Sequence, residues 1–415
     1  MSPLQGIRVI DLTRYVAGPL AAQLLADLGA DVVKVEALPT GDASRQSGPF
    51  VDDESVYFMA SNRSKRSIAL DLRRQEGREV LRRLLSTADV FIENFRPDTA
   101  RVMGLDHERL RAVNPRLVHV TISGFGNGPI GSTLPGFDQT VQAMSGLMSV
   151  TGTEESGPLR VGIPVADTST GVMAAVGALA ALQQRVTTGE GSHVETSLLG
   201  SMLTMMSYQA QTVLSTGAVP ARNGNDHPIL FPQGTFRVGD SAIAIASGNE
   251  RMWRVLCRVL GLESLAEDPR YSDNASRLAH RKELRAAIEE ALFARPAEEW
   301  IDLINDAGIP CGPVYDLSQA LSQPTAAELG MVQHVIHSSV GPMKVLGSPL
   351  RIDGGDPGWL RFAPPRLGEH SREVLFEAGI DAEEVDRLVA SGVATEPAAV
   401  VGERLAAPAG SPGRG

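Results

Sequence analysis

The feature that most constrains the fold is a regular alternation of strand and helix patterns in the first third of the chain. Short runs rich in Val and Ile predict strands at residues 7–12, 31–36, 67–71, 89–94 and 116–123. Amphipathic or capped segments predict helices at residues 20–28, 76–85 and 107–113. Strands joined through helices form right-handed βαβ units, so the pattern predicts an α/β fold with a parallel sheet.

The length predicts two domains, because 415 residues exceed one ordinary core. Near Pro220 the pattern of predicted secondary structure changes. Residues 234–246 predict a β-hairpin, and helical patterns follow to residue 307. Residues 308–313 predict a rigid linker. The expected divisions are a large, Rossmann-like α/β domain over 1–205, a smaller α+β domain over 225–330, a return to the large domain over 340–395, and a disordered tail over 396–415.

Charge and composition exclude several classes of protein. A net charge of −11 argues against nucleic acid as the main partner, since phosphate backbones are bound by dense Lys and Arg surfaces. The two cysteines, Cys257 and Cys311, form neither a disulfide framework nor a zinc set, which favours a cytoplasmic location. No signal-peptide pattern opens the chain, and the apolar stretch 172–182 is shorter than the ~20 residues that span a bilayer. We therefore expect no membrane partner.

Common catalytic and nucleotide motifs are missing from the sequence. The first strand–turn–helix unit resembles half of a dinucleotide fold, but residues 13–19 lack G-x-G-x-x-G, which argues against NAD. There is no G-x-S-x-G elbow and no H-E-x-x-H zinc motif. Four arginines do follow predicted strands, at the edge where open α/β sheets bind ligands, and their guanidinium groups suit phosphates. They are Arg73, Arg74, Arg96 and Arg101, and a solvated rim remains an alternative for each.

Asp167 is the most informative single residue. It stands in Asp167-Thr-Ser-Thr-Gly171, directly before an apolar helix pattern rich in Ala and Gly. Judged locally, Asp followed by such a pattern is an ordinary helix N-cap. A helix lined with small residues packs closely against its neighbour, however, so this carboxylate is expected to be buried. Burial of a carboxylate costs free energy, which favours a functional role for Asp167.

Together these segments resemble the family III CoA-transferases, the CaiB/BaiF group, over about residues 4–392. The matching segments are residues 4–12, 17–19, 25–36, 62–72, 89–97, 123–126, 142–146, 167–171, 188–191 and 308–314. No single segment is diagnostic, but the set is highly specific. The resemblance implies an enzyme that moves CoA from an acyl-CoA donor to a carboxylic acid, with acyl-CoA as a substrate and no permanently bound cofactor or metal.

In that family, the aspartate matched by Asp167 is the nucleophile. The resemblance implies that it attacks the thioester, becomes a mixed anhydride, and is then converted to an aspartyl-CoA thioester that the acceptor acid resolves. The implied CoA contacts are Val16, Ala17, Leu70, Asp71, Leu72, Arg73, Asn94, Phe95, Arg96 and Arg101. Two positions depart from the family pattern: Ala37 replaces a frequent arginine, and Arg101 stands one position early.

Two alternatives to CoA transfer remain open at this point. The same fold is known in 2-methylacyl-CoA racemases, where a His-Asp pair precedes the second catalytic aspartate. Here the matching residues are Phe137 and Asp138, expected to contact substrate, and Phe137 cannot act as an acid or base, which favours transfer. A non-catalytic acyl-CoA-binding protein is the second alternative.

The resemblance also implies a homodimer whose two chains interlock, each passing through the ring made by the other. The returning C-terminal segment and two expected linkers, at about 205–225 and 320–345, are the features of this sequence that fit such an arrangement. We therefore expect an interlocked homodimer.

Overall fold

A computed structural model gives the structure of residues 2–352 and 360–397. The strands of these residues are β1 Arg8–Leu12, β2 Asp31–Ala37, β3 Phe50–Val51, β4 Glu54–Ser55, β5 Lys65–Leu70, β6 Val90–Glu93, β7 Val118–Ser123, β8 Gly152–Thr153, β9 Gly157–Pro158, β10 His193–Ser197, β11 Gln233–Val238, β12 Ser241–Ala246, β13 Cys311–Pro313, β14 Val332–His337, β15 Gly341–Leu346 and β16 Ala394–Thr395.

The helices are α1 Ala17–Asp27, α2 Val56–Met59, α3 Gln75–Ser86, α4 Pro97–Met103, α5 His107–Val113, α6 Asp138–Met144, α7 Leu147–Val150, α8 Val165–Thr188, α9 Leu198–Met205, α10 Ser207–Thr216, α11 Glu250–Leu260, α12 Glu263–Ala266, α13 Asn274–Ala279, α14 Arg281–Leu292, α15 Ala297–Asp306, α16 Leu317–Ser322, α17 Pro324–Glu328, α18 Ser371–Glu377 and α19 Ala382–Ala390. Three short 3-10 turns lie at Ala43–Gln46, Gly131–Thr133 and Pro269–Tyr271.

A seven-stranded sheet of order β10-β7-β6-β1-β2-β5-β16 forms the centre of the larger part of the molecule. All neighbouring strands in it are parallel except β16, which pairs antiparallel with β5. Counted along the chain, the six parallel strands have the order 3-2-1-4-5-6 of doubly wound nucleotide-binding folds. The predicted α/β fold with a parallel sheet is confirmed. Strands β10 and β16 were not predicted, because β10 carries mainly polar residues and β16 has only two residues.

The central strands of the sheet are buried on both faces, as in a sheet that helices cover on both sides. Every residue of β5 and β6 is buried. One face packs against α3, α5 and the C-terminal helices α18 and α19, which contribute Leu84, Leu110, Val374 and Leu388 to a common core. Helix α1 packs on the sheet through contacts with β1, β2 and β6.

The described chain divides into two compact units, each built from separate segments. Unit 1 comprises Met1–Pro135, Asp167–Leu198 and Leu329–Gly415; unit 2 comprises Gly136–Ala166 and Leu199–Glu328. The predicted division placed residues 136–166 and 199–205 in the large domain, whereas here they belong to unit 2. The sequence gives no signal for this, because a chain that leaves and re-enters a unit within one helix has no compositional break there.

Unit 2 contains the three-stranded antiparallel sheet β11-β12-β13 and the helices α11 to α15. The predicted hairpin is present, with Gln233 opposite Ala246 and Val238 opposite Ser241. Its core includes Trp253 and Trp300. The expected rigid linker at 308–313 is wrong in part, since Cys311–Pro313 is strand β13 and pairs with β12.

The segments expected to be linkers also contain regular structure. Helix α10 lies within 205–225, and the hairpin β14–β15 lies within 320–345 except for its last residue, Leu346. The predicted tail, 396–415, lies outside the described residues apart from its first two positions.

Helix α8 is the one helix of the described residues that is long and apolar enough to cross a membrane, judged by length and composition alone. It has 24 residues, more than the apolar stretch 172–182 inside it suggests. A core helix meets the same criteria, and Ala174 and Ala178 of α8 are fully buried.

Candidate functional site

The order of the strands defines where a ligand is expected. From the central strand β1 the chain adds β2 and β5 on one side, then crosses to add β6, β7 and β10 on the other. Open α/β sheets bind ligands at this switch, beyond the carboxyl ends of the two strands that flank it. The strands are β1 and β6, and the turns that follow them contain the predicted residues Val16 and Ala17, and Asn94 to Arg96.

The structure brings these two turns into direct contact. The Asn94 side-chain amide donates to the carbonyl oxygen of Arg14 at 2.9 Å, and its oxygen accepts from the Arg14 backbone N–H at 3.0 Å. Val16 is the N-cap residue of α1 and Ala17 its first residue, and both are buried. The turns after β1 and β6 therefore form one continuous surface.

The start of α8 packs against this surface at very short range. A Cβ atom added to Gly171 would lie 2.7 Å from the carbonyl oxygen of Ala17 and 3.1 Å from Cβ of Leu20, so only glycine fits there. Asp167 precedes Gly171 by four residues, which places it on the same face of α8, about 6 Å closer to the N-terminus. The predicted nucleophile thus belongs to the helix turn that adjoins the β1 turn.

Asp167 is partly buried and lies inside the first turn of α8, which begins two residues earlier at Val165. The alternative that Asp167 is the N-cap residue is therefore wrong. The sequence analysis placed the helix after Asp167, whereas α8 already includes Val165 and Ala166.

Asp138 holds the segment that leads into α8. Its Oδ1 accepts from the Ala166 backbone N–H at 2.8 Å, and its Oδ2 accepts from the Gln142 side-chain amide at 2.7 Å. Gln142 in turn accepts from the Val161 N–H at 2.9 Å. Both oxygens of this buried carboxylate are thus engaged within unit 2. Phe137, its neighbour, is 59% exposed.

The residues predicted after β5 lie further along the same edge of the sheet. β5 is separated from β1 by β2, a distance of about 10 Å between strands. Leu70 and Leu72 are buried, so their backbone is the part of each that a ligand can reach. Arg73 binds Asp71 through two hydrogen bonds of 2.8 and 3.0 Å, and these bonds hold the pKa of the Asp71 carboxyl below its ordinary value.

The cations along this edge differ in whether an acid already neutralises them. Arg73 is paired with Asp71, and Arg101 is paired with Asp98 at 2.9 Å. Arg96 is exposed and forms no ion pair with any described residue. It directly follows β6 and is the N-cap residue of α4.

Arg14 is a second exposed cation without an acid partner among the described residues, and the sequence reasoning missed it. Its guanidinium carbon lies 5.4 Å from the centre of the Phe95 ring, so it stands over the β6 turn. In the sequence, Arg14 lies between the first predicted strand and the Val16-Ala17 turn, and this position could have indicated a role in ligand binding. Arg14 follows the predicted strand 7–12 by two positions, as Arg73 follows the strand 67–71, so the signal used for the other arginines applied to it as well.

Comparison with known proteins shows the family. The sequence model of CoA-transferase family III matches residues 4–371. Acetyl-CoA:oxalate CoA-transferase of Acetobacter aceti is 39% identical over 377 residues, which are 90% of this chain and 95% of that protein. Succinate–glutarate CoA-transferase of Agrobacterium fabrum is 37% identical over 389 residues, 90% of this chain and 95% of its own length.

A solved structure shows the same architecture. A CaiB/BaiF family protein from Brucella suis has a TM-score of 0.81 and 36% sequence identity, covering 91% of this chain and 99% of its own. The fold and the comparisons define the class of protein as a CoA-transferase with the CaiB/BaiF architecture. The chain belongs to CoA-transferase family III, and it is an enzyme of that family.

Proposed function

We propose that the protein moves CoA from an acyl-CoA donor to a carboxylic acid by covalent catalysis on Asp167. The observation that carries this proposal is the position of Asp167, on the helix turn that adjoins the β1 turn at the switch point of the sheet. Ligands of open α/β sheets bind at that place, so the carboxylate stands where a bound thioester would react.

The proposed reaction conserves atoms and charge at every step. The Asp167 carboxylate attacks the thioester carbon, the C–S bond breaks, and CoA leaves as a thiolate. The thiolate attacks the aspartyl carbonyl of the mixed anhydride, forming an aspartyl-CoA thioester and releasing the donor acid. The acceptor carboxylate then repeats these steps in reverse, which regenerates Asp167 and the new acyl-CoA. Two easier acyl exchanges replace one difficult one.

The N-terminus of α8 favours this chemistry. The dipole of a helix stabilises negative charge near its N-terminus. The same dipole stabilises the oxyanion of a tetrahedral intermediate that forms at this terminus.

For CoA itself, we propose that the surface formed by the β1 and β6 turns binds the pantetheine and phosphate parts. Arg96 is the leading phosphate ligand because it is exposed and unpaired within the described chain, and Arg14 joins it from the β1 turn. Val16, Ala17, Phe95 and the Leu70–Arg73 segment extend the proposed site along the sheet edge. Arg101 and Arg73 are secondary, since each already binds an acid.

The substrates are proposed to be short acids of the dicarboxylate class. The two relatives described above are named for oxalate, succinate and glutarate. A panel of acetyl-CoA, succinyl-CoA and formyl-CoA against oxalate, succinate, glutarate and mesaconate would identify the pair, with each product acyl-CoA resolved by mass spectrometry.

The test of the proposal is the variant Asp167→Asn, which keeps the size of the side chain but removes the nucleophile. We expect a folded protein that binds acyl-CoA and transfers CoA at least ~10³-fold more slowly, as for loss of a covalent nucleophile. Asp106→Asn is the matched control, because Asp106 is also an acid at a helix N-terminus, that of α5. Near-normal transfer by Asp167→Asn would disprove the mechanism. Wild-type binding of CoA without turnover across the panel would support the non-catalytic alternative.

The racemase alternative is not favoured, since the relatives are CoA-transferases and Phe137 stands where an acid or base is required. Incubation with a 2-methylacyl-CoA in D₂O separates the two reactions. Deuterium incorporation at the α-carbon without any acceptor acid would overturn the choice.

We also propose that the active form is the interlocked homodimer, in the cytoplasm. Within unit 1, α8 leaves Val172, Val176 and Val186 exposed, and within unit 2, α10 leaves Val213 and Leu214 exposed. Apolar side chains grouped in this way favour coverage by another chain. Light scattering should give twice the chain mass of 44.1 kDa, without dissociation on dilution, since linked chains separate only by unfolding.

A further inference from the structure

The turn Thr13–Tyr15 has its backbone held by side chains from several elements. Asp11 accepts from the Thr13 N–H at 3.0 Å, and the Lys34 ammonium donates to the Thr13 carbonyl at 2.9 Å. Asn94 bonds both the N–H and the carbonyl of Arg14. Five backbone groups of three consecutive residues are satisfied in this way once Tyr15 is included.

Tyr15 itself has φ of +68°, in the left-handed region that non-glycine residues avoid. Its N–H donates to Oδ1 of Asp42 at 3.0 Å. A residue persists in this conformation where the surrounding structure fixes it, and such residues are concentrated at functional sites.

Behind the turn lies a set of four buried charges. Lys34 lies 3.0 Å from Asp42 and 3.7 Å from Asp11, and Lys65 lies 2.8 Å from Asp11. All four side chains have no exposed surface. Burial of ion pairs rarely adds stability over apolar residues of the same size, so stability alone does not account for the set. Each of its members except Lys65 bonds the backbone of the turn, and Lys65 holds Asp11.

We infer that Asn94, Asp42 and Lys34 are positioning residues, which fix the turn Thr13–Tyr15 in its acyl-CoA-binding conformation before the ligand arrives. The inference rests on the proposed CoA site. Asn94 is the clearest case, because both ends of its side-chain amide are committed to Arg14 and it therefore acts through the turn. A turn that is already ordered loses little conformational freedom on binding, which raises affinity without any new contact.

The test is Asn94→Ala, a partly buried position where truncation leaves the fold intact. We expect KM for acyl-CoA and Kd for CoA to rise about 10-fold, the effect of two lost hydrogen bonds, while kcat changes less than 3-fold. Amide hydrogen exchange at Arg14 should become faster in the free variant and slow again when CoA binds.

Asn114→Ala is the matched control. Asn114 is also partly buried, and its amide donates to the carbonyls of Leu85 and Ala88 at 3.1 and 2.8 Å, at the opposite end of the strands. It should lose similar stability with unchanged KM. If Asn94→Ala lowers the melting temperature but leaves both KM and Kd unchanged, the role is merely structural and the inference fails. If the wild-type protein does not bind CoA, it is the proposed function that fails.

A second variant, Asp42→Asn, keeps an acceptor for the Tyr15 N–H but removes the charge facing Lys34. We expect Asp42→Asn to lose more stability than Asn94→Ala but to show a smaller rise in Kd for CoA. This result would support positioning through hydrogen bonds. A rise in proportion to the loss of stability would overturn it.

Discussion

The close approach of α8 to α1 makes Gly171→Ala the most informative substitution in the chain. The added methyl group would lie 2.7 Å from the Ala17 carbonyl oxygen, whereas ordinary contact begins near 3.4 Å. The obstacle is backbone and cannot rotate away, so the start of α8 must move by roughly 0.7 Å, because protein interiors hold no spare volume. Asp167 lies one turn away and would move with it.

Two opposing free-energy changes determine the stability of the Gly171→Ala variant. Overpacking costs typically 1–3 kcal/mol, whereas replacing glycine by alanine inside a helix gains about 1 kcal/mol. The free energy of unfolding should therefore fall by no more than about 2 kcal/mol. A displaced catalytic group is far more sensitive, since about 1 Å can cost 10²-fold in rate. We expect kcat for CoA transfer to fall by about 10- to 100-fold, while the protein stays folded.

Gly177→Ala, on the same helix, provides the control. There the added methyl would meet Cγ1 of Val194 at 2.6 Å, a side-chain atom that can change rotamer. It lies about 9 Å along the helix from Gly171. This variant should keep wild-type kcat with a similar change in stability. Wild-type kcat in Gly171→Ala would refute the reasoning that the contact with Ala17 sets the position of Asp167.

Two further predictions concern charge. Arg96→Ala should raise the KM for acyl-CoA about 10-fold with little change in kcat. Arg73→Ala should raise this KM less, because Arg73 already binds Asp71. Steady-state kinetics with varied acyl-CoA would measure both effects, and equal increases in KM would contradict the prediction. Asp11→Asn should lower the free energy of unfolding by about 3–5 kcal/mol, since it leaves two buried ammonium groups short of a partner. Although burial opposes ionisation, Lys34 and Lys65 hold the pKa of Asp11 at about 2, below its ordinary 3.8. The corresponding stability is fully present above pH 4 and is lost as the pH falls through about 2, so urea denaturation should show a weaker acid dependence in the variant.

The sequence predicted the centre of the fold because its signals are local. Each parallel strand of the first third reads as a short apolar run, and each helix between them begins or ends at Gly, Pro or a charged cap. β10, by contrast, has the sequence His193-Val-Glu-Thr-Ser197, which shows no apolar run and becomes a strand only by pairing with β7. The hairpin β14–β15 was missed in the same way, since half of its residues are exposed or polar.

For the site, the sequence indicated which residues to examine but not what each one does. Asp167 and the two turns were predicted from a resemblance. In the structure, Gly171 contacts Ala17, and Asp167 lies one helix turn before Gly171. Asn94 stays a predicted ligand contact, and its side chain forms two hydrogen bonds with the Arg14 backbone that the sequence did not indicate. Such a role depends on two turns 80 residues apart, which no local pattern reveals.

The edge strand β16 has a consequence for how the protein is made. Its two residues, Ala394 and Thr395, pair with Leu70 and Ala69 of β5, more than 300 positions earlier in the chain. During synthesis β5 therefore remains an open edge until residues 394–395 have left the ribosome. Unpaired edges recruit other strands, and contacts between distant positions form slowly. The nascent chain should thus depend on chaperones late in translation, and truncation before residue 394 should yield aggregates rather than a smaller folded enzyme.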